Sequence, residues 1–256
     1  MDNVKKYAPM INYLIGELEQ IAEEIDDLQT RNSYAMAMFN LYVNTPEGKF
    51  DLQMEEKLYG YAFAHIVELE TVEAMAGVAV EMMIEFGKRG AWEPIARCYG
   101  RAKALAIPDA YAGSERVIEL AAAAEYEMML LASNAGNVPM ARNMFDNLAQ
   151  LAAEHPENYG VIVRLAMAGK NMILDYGEMG DAVNTEEVYR TFLPLAMPFS
   201  EDTDIADQIV GAAHSFCVDL INAGNMTRVR QIYEEVKDLK PAEDAAKRLE
   251  WLKTVI

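Results

Sequence analysis

The chain has 256 residues, of which 52% are apolar and 25% charged, enough apolar matter for a substantial core and too much for the disordered class. Its net charge of −19 leaves it unable to displace counterions from phosphates or to adhere to anionic lipid, so no nucleic-acid partner and no membrane are expected. With only 9 prolines and 15 glycines against many Ala, Leu, Met and Glu residues, the composition predicts an all-α protein.

Taken in order, helices are expected at about 4–27, 31–44, 50–67, 70–88, 91–106, 111–133, 137–154, 157–177, 182–197, 203–222, 225–239 and 242–255, about 12 in all. The first runs from Lys5 and Lys6 into Glu17, Glu19, Glu23 and Glu24 with no continuous apolar stretch, so it is not a secretory signal. No apolar run reaches the ~18 residues of a membrane span, and a soluble cytoplasmic protein is expected. Thr45, Pro46, Glu47 and Gly48 predict a turn ahead of a degenerate repeat portion at 45–69. The helices before it, within 1–44, read as an N-terminal cap of one continuous repeat domain.

From residue 70 onward the chain repeats. Gly90, Gly136, Gly180 and Gly224 stand 46, 44 and 44 residues apart, and each ends one helical stretch and begins the next. Nine residues after each glycine is an aromatic: Tyr99, Phe145, Tyr189 and Tyr233. Fifteen after is leucine: Leu105, Leu151, Leu195 and Leu239. The positions at plus eight (Cys98, Met144, Val188, Ile232) and plus twelve (Ala102, Leu148, Phe192, Val236) complete one apolar helical face. Pro108, Pro156, Pro198 and Pro241 then stop the helix. Before each glycine, Phe86, Ala132, Tyr176 and Leu220 stand at minus four, and Met82, Met128, Met172 and Phe216 at minus eight. Each unit is therefore helix A, a glycine turn needing φ > 0, helix B and a proline-marked turn. The acidic run from Glu201 to Asp204 caps the A helix that follows it. The final segment, 242–256, carries Ala246, Leu249, Leu252 and Ile256 on one stripe and reads as a C-terminal cap.

These columns resemble the tetratricopeptide repeat over 70–241. Gly136, Ala141, Phe145, Leu148 and Pro156 make the best match, with Gly90, Ile95, Tyr99, Ala102 and Pro108 among the parallel sets. The period is near 44 rather than 34, and Met83, Met129, Ile173 and Cys217 fill the position where the family carries a small residue in helix A. The resemblance implies a right-handed superhelical stack of antiparallel helix pairs, with A helices lining a concave surface that binds a protein or peptide.

Groove positions on that reading lie nine and ten residues before each glycine: Glu81, Tyr126, Glu127, Lys170, Asn171, His214 and Ser215, with Val80 beside them. The neighbouring column at minus six is apolar (Ile84, Leu130, Leu174, Val218), a floor suited to a helix or an extended apolar-basic segment. Arg142 and Arg230, on B helices, are expected to face outward. The family's carboxylate-clamping Lys, Arg and Asn set is echoed only by Lys170 and Asn171.

Catalytic chemistry is not expected. Cys217 and His214, three apart on one helix, could be half a metal site, but Cys217 and Cys98 occupy packing columns and read as small core residues. His65 and His155 suggest no constellation, and no phosphate loop, dinucleotide fingerprint or nucleophile elbow occurs. The expected role is a protein-binding scaffold without a cofactor. The alternatives are a self-assembling homo-oligomeric module and, third, an enzyme or small-molecule binder with its site in the groove.

Overall fold

The computed structural model describes residues 2–25, 27–44, 52–107 and 110–256. Among these every regular element is helical, and twelve α-helices follow one another. The expected turn at Thr45 to Gly48 and the stop at Pro108 lie outside the described residues. Residues Met1–Ala121 and Ala122–Ile256 form two compact units.

The first unit holds α1 (Asp2–Ile25), α2 (Leu28–Asn44), α3 (Leu52–Ala64), α4 (Leu69–Gly87), α5 (Trp92–Ala104) and the start of α6 (Glu115–Asn134). Its core is built from Tyr34, Tyr42, Leu58, Tyr59, Met75, Met83, Ile95 and Leu105, all fully buried. Helix α3 ends three residues short of expectation because the chain is claimed elsewhere. The Val67 N–H donates to the Tyr111 hydroxyl at 2.8 Å, and that hydroxyl donates back to the Val67 carbonyl at 3.2 Å. One phenol thus satisfies both backbone groups of a buried, non-helical residue. Asn32 makes a similar tie, its Oδ1 accepting from the Thr71 hydroxyl (2.6 Å) and the Glu68 N–H (3.2 Å) at the head of α4. Glu55 of α3, 3% exposed, accepts from Arg101 Nε of α5 at 2.8 Å, with Arg97 Nε 3.9 Å away.

The second unit takes in the rest of α6, then α7 (Val138–Glu154), α8 (Tyr159–Glu178), α9 (Ala182–Ala196), α10 (Thr203–Asn222), α11 (Met226–Val236) and α12 (Glu243–Val255). A single 3-10 turn, Met197–Phe199, follows α9 and contains Pro198. Helix α8 packs on α7, α9 and α10, and α10 packs on α8, α9, α11 and α12. The A helices α8 and α10 therefore lie side by side, α8 with its B helix α9 and α10 with its B helix α11. Asp202 caps α10 as expected of the acidic run, its Oδ1 accepting from the Asp204 and Ile205 N–H groups.

The four turns share one geometry. Gly90, Gly136, Gly180 and Gly224 have φ of 65°, 72°, 70° and 74°. In each, the N–H of the following residue reaches back to the carbonyl four before the glycine: Ala91 to Phe86, Asn137 to Ala132, Asp181 to Tyr176 and Asn225 to Leu220, at 2.8–3.1 Å. The glycine N–H bonds the carbonyl three before it, completing the Schellman pattern. The residue after the glycine then serves the next helix. Asn137, Asp181 and Asn225 accept the N–H of Met140, Asn184 and Arg228 through their side chains. At Ala91 that second contact is missing.

A Cβ at φ near +70° costs about 1–2 kcal/mol, so Gly136→Ala is expected to lose that much stability. Gly100, inside α5 with open space around its Cα, is the control, and Gly100→Ala should gain about 0.5–1 kcal/mol. Equal thermal midpoints for the two variants would show that the turn imposes no left-handed requirement.

The packing columns hold with two adjustments. Ile95, Ala141, Thr185 and Val229 at plus five are buried, as are Ala102, Leu148, Phe192 and Val236 at plus twelve. In the aromatic column Phe145 and Tyr189 are buried, whereas Tyr99 and Tyr233 are half-buried. The leucine column is buried only at Leu105, and Leu151, Leu195 and Leu239 lie at its margin. Ala152 and Ala196, one residue later, take the core position in the second unit. Small buried residues of the A helices also sit off the expected column, at minus eleven and minus twelve: Ala168 and Gly169, Ala212 and Ala213. At Gly169 an added Cβ would stand 2.5 Å from Phe192 Cδ1.

Candidate functional site

The minus-nine and minus-ten positions are surface-accessible to different degrees. Val80 is buried, while Glu81 on α4 of the first unit is exposed beside Ile84, itself 37% exposed. The remaining candidates all belong to the second unit, and each is half-buried. Asn171 Nδ2 of α8 donates to the Tyr126 hydroxyl of α6 at 3.3 Å, so the two columns meet across neighbouring A helices. That contact leaves the phenol at the surface with its ring partly sheltered, and burial raises its pKa. Burial also pushes the Glu127 carboxyl up, against the opposing pull of Arg164.

On α8, Lys170 Nζ donates to Gln208 Oε1 of α10 at 3.1 Å. Burial, then the nearby Arg248 guanidinium, lowers the Lys170 pKa, while Asp207 pulls it upward. The His214 ring lies against Trp251 of α12 at 4.9 Å between centroids, and burial followed by Arg248 lowers its pKa. Cys217 faces the core, as does Cys98 in the first unit, and burial pushes both thiols up to about 12. Thiols held protonated to that pH are poor nucleophiles and poor ligands. Among the described residues no three His, Cys, Asp or Glu side chains converge in a cation-holding arrangement, and no helix is long and apolar enough to cross a membrane.

Ser215 and His214 border a groove of about 350 Å³ between the C-terminal halves of α8 and α10. Its floor is Ile173, Leu174 and Val218, and Glu178 and Asp219 stand at its edge. Leu174 is 41% exposed, so the floor is open to a ligand. Asp219 also lines a second hollow that runs past Gly177 to Asp181 and Ala182. Any side chain at 177 would collide with the Asp219 carboxylate, so the glycine leaves room for it. Burial raises the Asp219 pKa, and among the described residues no cation relieves that cost.

Three contributors escaped the sequence reading. Asp219 sits at minus five, one turn from the columns that were singled out, and its carboxylate spacing was the available signal. Arg248 and Trp251 were passed over because α12 was read only as a cap. Its packing face is in fact Ala245 and Leu252, with Ala246 and Leu249 half-buried and Ile256 37% exposed. The outward B-helix face is also more connected than expected. Arg142 binds Asp146 at 2.8 Å and reaches Asn184 and Glu187 of the next unit at 3.4 Å. Arg230 is exposed, as expected. Compared with family models, curated proteins and solved structures, the chain matches none.

Proposed function

We propose that the chain is a tetratricopeptide-like scaffold, its helix pairs wound in a right-handed superhelix, that binds an apolar-basic segment of another protein along its A helices. The observation that carries this reading is the α8–α10 groove. An apolar floor with exposed Leu174 lies beside a carboxylate, Asp219, that has lost part of its hydration and, among the described residues, gained no cation. An incoming Lys or Arg would neutralise that carboxylate while its aliphatic stem and an apolar neighbour cover Ile173, Leu174 and Val218. Tyr126 supplies a rigid amphipathic ring of the kind that anchors interfaces, and its hydroxyl is already oriented by Asn171. Glu127, Lys170, His214 and Ser215, all in the second unit, complete the proposed surface, and no cofactor is invoked. The two free, buried cysteines suit a reducing compartment such as the cytoplasm.

The test is fluorescence anisotropy with two labelled peptides of equal length, one alternating Leu with Lys and the other Leu with Glu. The basic peptide should bind and the acidic one should not. Tyr126→Ala and Asp219→Asn should each weaken binding by about 1 kcal/mol or more with the helical signal unchanged, and Arg230→Ala should change nothing. Equal affinity for both peptides, or loss of binding in Arg230→Ala alone, refutes the groove reading. Light scattering across a concentration series addresses the self-assembly alternative, which alone requires a stable oligomer.

A further inference from the structure

In a chain carrying 41 acidic residues, a group of positive side chains without a carboxylate partner stands out. Lys170 of α8 and Arg248 of α12 both cross Gly211 of α10. A Cβ built at that glycine would meet Lys170 Cδ at 3.2 Å and Arg248 Nη1 at 3.4 Å. One turn along α10 is His214, its ring against Trp251, which follows Arg248 by three residues on α12.

Neither cation is neutralised. Among the described residues no carboxylate oxygen lies within the 4.0 Å of an ion pair from Lys170 or Arg248. Asp207, whose field reaches Lys170, is engaged elsewhere, its Oδ1 accepting the Ala242 N–H at the head of α12 at 2.7 Å. Lys170 makes one hydrogen bond, to Gln208, and keeps two N–H protons. Arg248 is exposed, and among the described residues its five donors are uncommitted. Burial, and after it the repulsion of the Arg248 guanidinium, lowers the pKa of Lys170 and holds the imidazole of His214 toward its neutral form.

We propose that Lys170, Arg248 and the edge of His214 form a binding site for a phosphoryl group. Two permanent cations match the charge of a phosphate dianion, whereas a carboxylate would leave one of them uncompensated. The guanidinium offers a planar fork for two oxygens and the ammonium a point charge for a third. A neutral His214 supplies a hydrogen-bond donor without adding to the repulsion. Bare Gly211 lets both long side chains lie close to α10, and a Cβ there would crowd the Lys170 stem by a few tenths of an ångström. The group could arrive as free phosphate or on a phosphorylated side chain of a partner, since α8 and α10 also build the groove proposed above for an apolar-basic segment.

Calorimetric titration of the full chain with inorganic phosphate, at pH 7.5 and an ionic strength held constant with chloride, tests the site. One phosphate per chain is expected, with the emission of Trp251 changing over the same range in a Trp92→Phe background. Arg248→Met, on an exposed position that does not endanger the fold, should weaken phosphate at least tenfold, and so should Lys170→Met. Arg230→Met should leave it unchanged. A phosphoserine peptide that binds more tightly than inorganic phosphate, with its unphosphorylated form silent, identifies a modified partner as the source. Equal affinity for peptide and inorganic phosphate identifies free phosphate. A phosphate response that is absent, or the same in Arg248→Met, Lys170→Met and Arg230→Met, overturns the assignment.

Discussion

Phe145→Ala is expected to lower the free energy of unfolding by about 3–5 kcal/mol, the range for emptying the site of a buried aromatic ring. Phe145 has no solvent exposure, and Ala141, Leu148 and Ala149 of its own helix are buried with it. Ala141 and Ala149 carry no long side chain to swing into the vacated space, so the cavity is expected to persist. Arg142 stands 6.0 Å over the ring and would lose that face as well. The equivalent change at half-buried Tyr99 should cost less, because water already reaches part of that ring. Urea unfolding followed by circular dichroism decides the matter, and a midpoint indistinguishable from that of the parent would place Phe145 on the surface and dissolve the aromatic column.

Arg101→Leu should cost about 3 kcal/mol, chiefly through what it leaves behind. Glu55 is buried, and its carboxylate accepts the Arg101 Nε at 2.8 Å, with Arg97 at the longer distance of 3.9 Å. Arg101 also lies 4.8 Å over the buried ring of Tyr59, so both its charge and its packing are lost. Removing both partners removes the orphaned charge, and the double variant Glu55→Leu with Arg101→Leu should recover a large part of the loss. A double variant whose loss equals the sum of the two single losses would mean the ion pair contributes nothing beyond its separate side chains.

The features that could be read from the sequence are those in which one residue type is the only local solution. A left-handed turn admits glycine at little cost, so four glycines at period 44–46 located four turns correctly. The helices around them fell within a few residues of expectation. The leucine column misled because a helix advances about 100° per residue. From the buried plus-twelve position, plus sixteen returns to within about 40° of the core direction and plus fifteen stays about 60° away. Apolar chemistry drew attention to Leu151 and Leu195, but Ala152 and Ala196 fit the closer space. The candidate surface was only half legible. The Tyr126–Asn171 contact follows from the repeat, since equivalent faces of adjacent A helices must meet. The meeting of Lys170 with Arg248, and of His214 with Trp251, depends on how α12 lies on α10, and no periodicity encodes that.

The double use of Asn137, Asp181 and Asn225 has a consequence for how this chain can change its length. Each residue closes one helix through its backbone N–H and opens the next through its side chain, so the A-to-B link has no spare residue. Inserting or deleting one position there would break the end of one helix and the start of the following one together, and would turn every side chain of the B helix by about 100° out of register. The B-to-A connections are under no such constraint. The stretch from Met197 to Asp202 and the stretch from Lys237 to Ala242 contain residues committed to neither helix. Tolerance for added or lost residues is therefore itself periodic along this sequence, falling to nothing after Gly136, Gly180 and Gly224 and recovering ahead of α10 and α12.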